Sequence, residues 1–140
     1  MLVEIRDRCN AIEECYEFML AYAAPGLPSD EGSQSGGQVR EFLQRVVGAL
    51  DGLAESCATA VKHEGLKPAE RYQALLAVLD RDARDSLAAI ELVLAQPAIS
   101  SQLIDNLNAS IHLRALLTDL FLFGEILKTR CMPVNPETIS

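Results

Sequence analysis

Residues 2–24, LVEIRDRCNAIEECYEFMLAYAA, place Leu2, Ile5, Cys9, Ile12, Tyr16, Met19 and Ala23 at spacings of three and four in strict alternation. Such a seam keeps one face of a helix apolar over three heptads and predicts packing against neighbouring helices at a shallow angle. The segment that follows, residues 25–37, holds two prolines, four glycines and three serines, which predicts a long non-helical crossover.

Beyond it the helical pattern returns three times. Residues 38–63 carry Val39, Leu43, Val46, Leu50, Leu53, Cys57 and Ala60 at the same alternating spacing, with Gly65 as the stop. Gly48 and Gly52 lie one turn apart beside this stripe, as tolerated exposed glycines or as the mark of a close helix crossing. Pro68 opens a third helix to about residue 96; its apolar stripe thins across residues 80–86, where arginine and alanine still propagate helix. Pro97 closes it, and Ser100 or Ser101 caps a fourth helix over about 101–128.

The fold class expected is therefore all-α: a four-helix bundle in up-down-up-down order, with helices at about 2–24, 38–63, 68–96 and 101–128. Residues 1–130 form one domain in this reading, with a long Gly/Pro/Ser-rich first loop and an extended C-terminal tail over 131–140. The long first loop also permits a crossing topology.

Composition limits what such a chain does. With 140 residues and a net charge of −8, it has no basic stripe to offset repulsion from phosphate backbones or anionic lipid, so neither nucleic acid nor membrane is expected as partner. Charged residues already at Glu4, Arg6, Asp7 and Arg8 leave no room for a signal-peptide core, and no apolar run reaches membrane-spanning length. Cys9, Cys15, Cys57 and Cys131 make no C-x-x-C pair, and Cys9 and Cys57 fall on apolar stripes, which fits a reducing, cytoplasmic setting.

Chemistry-bearing motifs are scarce. A di-metal bundle needs Glu-x-x-His pairs, yet Ala60 and Ala109 stand three residues before His63 and His112. His112 is a candidate for phosphotransfer only by position, because its surroundings match no such motif. Glu13, Glu14 and Glu17 cluster on the first helix and read first as a solvated acidic face, with Arg81 and Arg84 as possible ionic partners. No catalytic residue, cofactor or metal site is assigned.

Residues 101–128 carry the one unusual feature. Drawn as a single helix, Ile104, Leu107, Ile111, Ala115 and Leu122 share one side, while Leu113, Leu116, Leu120, Phe123 and Leu127 form a second row on the order of 150° away. One apolar face suffices in a bundle, so the second row requires another cover: the chain itself, a second copy in a homodimer, or a partner's amphipathic segment. The expectation is an interaction module (adaptor, chaperone-like or regulatory) that engages a homodimer mate or a helical protein through Leu113, Leu116, Leu120, Phe123 and Leu127, extended by Phe18 and Tyr22. The rival is a small-molecule or metal-binding bundle, catalytic or not, built on His112 and the first-helix glutamates.

Overall fold

Gly52 and Ser110 divide two of the four expected helices. The computed structural model describes residues 2–32 and 34–130. Six helices run through them: α1 Leu2–Ala23, α2 Gln34–Leu50, α3 Leu53–His63, α4 Ala69–Leu94, α5 Ser101–Asn108 and α6 Ile111–Arg130. No strand occurs among the described residues. The tail expected to be extended, 131–140, lies outside them.

The break between α2 and α3 falls where Gly52 takes the left-handed conformation at φ 77°, which costs a glycine little and a Cβ-bearing residue more. Leu50 and Leu53 are both buried on either side of it, so the apolar stripe stays in phase across the break and hid it. Gly48, by contrast, is exposed, and a Cβ built on it would meet nothing within 4 Å. It is the tolerated glycine, and no close crossing passes it.

Between α5 and α6 the chain turns at Ala109 and Ser110. Ser100 caps α5 by accepting the amide of Leu103 at 3.0 Å, and Ser110 accepts that of Leu113 at 3.3 Å to start α6. Such caps satisfy amides that a helix start otherwise leaves unpaired. The predicted 101–128 helix is therefore two helices with separate axes.

α2 starts at Gln34, ahead of the expected residue 38, although Gly36 and Gly37 lie in its first turns. Gly36 serves close approach here: a Cβ would collide with the carbonyl of Asp30. α4 runs unbroken through the charged stretch 80–86, with Ala83 and Ser86 turned inward.

Two arginines hold the ends of helices in other parts of the chain. Arg8 of α1 donates from Nη1 to the carbonyls of Ala49 at 2.9 Å and Asp51 at 2.5 Å, closing the C-terminus of α2. Arg40 of α2 donates to Leu94 O at 3.0 Å and Gln96 O at 2.9 Å, closing α4. A cation at these carbonyls satisfies them and complements the helix dipole. Asp30 locks the second clamp, taking Arg40 Nε at 2.7 Å and the Ile99 amide at 2.8 Å.

One hydrophobic cluster draws on all six helices. α1 packs most extensively on α2 and then on α5, while α4 packs on α2, α3 and α6. α1 and α6 barely meet. That open flank positions the candidate site.

Candidate functional site

The apolar row expected to face a partner is inside the protein. Leu113, Leu116, Leu120, Phe123 and Leu127 are all buried, Leu120 being the most exposed at 6%. The chain itself covers them, so that row no longer calls for a homodimer. Its physical origin is the turn at Ala109–Ser110: a wheel drawn through 101–128 forces two axes into one frame, and each helix's single core face looks like half of a double face. Outside the core on α6 stand members of the opposite row, Ile111 at 75% and Leu122 at 52% exposed, and beside them Phe121 at 58%.

Tyr22, expected at the same surface, is also buried; its hydroxyl donates to Ile99 O at 2.7 Å. Next to it, Ser101 Oγ donates to Tyr22 O at 2.6 Å and accepts the Leu27 amide at 2.8 Å. Tyr22 is thus a tie between α1 and the α4–α5 link. Phe18 is half-buried and stacks on Phe42 of α2 with ring centroids 4.4 Å apart, away from α6.

The elements of the rival site are not brought together. Glu14 pairs with Arg45 of α2 at 3.0 Å, and Arg84 with Asp80 at 2.9 Å, so the ionic link of α1 to Arg81 and Arg84 does not form through them. His112 instead faces α4, its Nδ1 3.7 Å from Asp85 Oδ2. Among the described residues no group of three His, Cys, Asp or Glu side chains is placed to hold a metal ion.

One concave, largely apolar flank lies where α1 and α6 fail to close. The first half of α1 and the second half of α6 enclose a groove of about 520 Å³, lined by Leu2, Ile5 and Cys9 on one side and Leu120, Gly124 and Leu127 on the other. Leu120 and Leu127 are two of the expected interface residues, and they form the floor of this groove. Gly124 lies on the α6 wall, where a Cβ would meet nothing within 4 Å. Phe121 stands on one lip, and charges of both signs rim it, Arg6 and Glu13 from α1, Glu125 and Lys128 from α6. No pattern in the sequence points to Gly124, because its meaning depends on which helix lies opposite.

Cys9 in this groove is half-buried, and burial, followed by the Glu13 carboxylate, pushes its thiol up to about 11. Burial raises Cys15 and Cys57 to about 12. All three are free thiols, and at neutral pH they stay protonated and weakly nucleophilic.

A second polar feature lies between α4 and α6. Asp119 of α6 approaches the carboxyl of Asp82 of α4, and its Oδ2 is buried without a hydrogen-bond donor. Burial and then the facing carboxyl raise Asp119 to about 7. Ser86, one turn beyond Asp82, is buried with its hydroxyl likewise unpartnered. No helix among the described residues is long and apolar enough to cross a membrane. No protein-family model, no curated protein and no solved structure matches the chain.

Proposed function

We propose that this protein is a non-enzymatic interaction module, an adaptor, chaperone-like or regulatory helical bundle, whose α1–α6 groove receives an amphipathic helix from another protein. In this reading α2–α3 and α5–α6 are two bent limbs of a four-limbed bundle, and the incoming helix fills the flank that α1 and α6 leave open. The observation that carries it is the groove of about 520 Å³ floored by Leu120 and Leu127, a volume within the roughly 300–1,000 Å³ of ligand-receiving clefts.

Shape and charge favour a helix over a small molecule. From Leu2 to Glu13 the α1 wall extends for about 17 Å, or three helical turns. A partner with apolar residues at i, i+3/i+4 and i+7 would seat them along that length. Arg6, Glu13, Glu125 and Lys128 on the rim suit a helix whose flanks carry both signs. The net charge of −8 adds a preference for a partner with basic character overall.

A photo-crosslinking residue introduced at Gly124 or Phe121 in the native host tests the reading. Adducts that map to an amphipathic helical segment and vanish with Gly124→Leu support it. An adduct of twice the chain's mass, or one indifferent to Gly124→Leu, overturns it.

A further inference from the structure

α6 packs chiefly on α4 and little on α5, and titratable groups sit along the α4 contact. We propose that the Asp82–Asp119 carboxyl pair makes the seating of α6 on α4 proton-dependent, firm while the pair holds a proton and looser once both carboxyls are ionised.

The geometry dictates the sign. Two carboxyl groups in contact share a hydrogen bond only when one keeps its proton; with both ionised they repel, and partial burial weakens the screening of that repulsion. Asp119 Oδ2 has no other donor. Its neighbours one turn away on α6 are Ala115, Leu116, Leu122 and Phe123, none of them cationic. From α4, Asp82 and Asp85 face the contact, while Arg84 is held by Asp80 and Arg81 is exposed. α5 contributes only the exposed Asp105, and Arg6 and Glu13 lie across the groove on α1. His112 of α6 stands 3.7 Å from Asp85. The carboxyl pair therefore strengthens when it takes up a proton.

The raised Asp119 value agrees with this. Its ordinary value is 3.8 and its folded value about 7, so the stabilisation is complete below about 4 and is lost as pH rises through 7. On the docking reading above, on which this consequence rests, a looser α6 moves Leu120, Gly124 and Leu127, one whole wall of the groove.

Amide hydrogen exchange of residues 111–130, corrected for intrinsic rates and referred to residues 34–50, tests the proposal. Between about pH 6 and about pH 8, the open population of α6 should rise roughly three- to tenfold, allowing for the water that reaches the second Asp119 oxygen. Asp119→Asn should remove most of that rise, and Asp82→Asn should reduce it to the part that burial alone imposes on Asp119. A rise equal in both segments, or one that either substitution leaves unchanged, overturns the proposal. Fluorescence of 8-anilinonaphthalene-1-sulfonate in the groove is read alongside: a latch that persists while Gly124→Leu leaves dye binding unchanged supports the proton dependence and overturns the docking reading alone.

Discussion

Tyr22 shows how little a single residue's type reveals about its task. An aromatic off the seam of α1 looked like surface, but its hydroxyl meets Ile99 O and its ring is enclosed. Tyr22→Phe keeps the ring and leaves one buried carbonyl short of a donor, so chemical denaturation should show a loss of about 1 kcal/mol. Arg40 does more, closing two α4 carbonyls and binding Asp30; Arg40→Ala should cost about 1.5–3 kcal/mol in the same assay. The Arg40 guanidinium first, and the Ile99 amide second, hold the Asp30 carboxyl below its ordinary 3.8. That stabilisation is present above the ordinary value and lost as pH falls through the lowered one. Asp30→Asn should accordingly flatten the acid limb of the stability profile, and an unchanged limb would assign acid lability elsewhere.

Elements were legible wherever periodicity alone decides them. α1 and α4 follow the spacing of their apolar residues to within one or two positions, because neither holds a glycine or proline and the stripe of α4 resumes in phase after residues 80–86. A break that preserves the phase was not legible: Leu50 and Leu53 remain three apart across Gly52. The turn at Ala109–Ser110 shifts the phase, and on a single wheel that shift looks like a second apolar row. Gly52→Ala should therefore lower stability by about 1–2 kcal/mol, the cost of a Cβ at positive φ, whereas the same change inside a straight helix would raise it. Gly124→Ala is the contrasting case: the site is helical and open, so thermal unfolding should shift upward by about 1 kcal/mol of stability. Ser86→Ala, which removes a buried hydroxyl lacking a partner, should be neutral or stabilising.

At the scale of the molecule, the all-helical class was readable from composition and periodicity, while the site was not. Which residues of α6 face out depends on α5 bending away from it, and the groove exists because α1 and α6 line the same flank without closing it. Leu120 and Leu127 stand out by their spacing as part of an interface row; only the arrangement of α1 opposite makes them the floor of a groove. On the proposed function, this open apolar flank is where a partner helix docks. The most direct test is methyl NMR of the leucines during titration with a designed three-turn helix bearing leucine at i, i+3/i+4 and i+7 and lysine elsewhere. Saturable shifts confined to Leu2, Leu120 and Leu127, and abolished by Gly124→Leu, are the predicted result. Shifts centred on another face, or binding that Gly124→Leu leaves intact, would contradict the account.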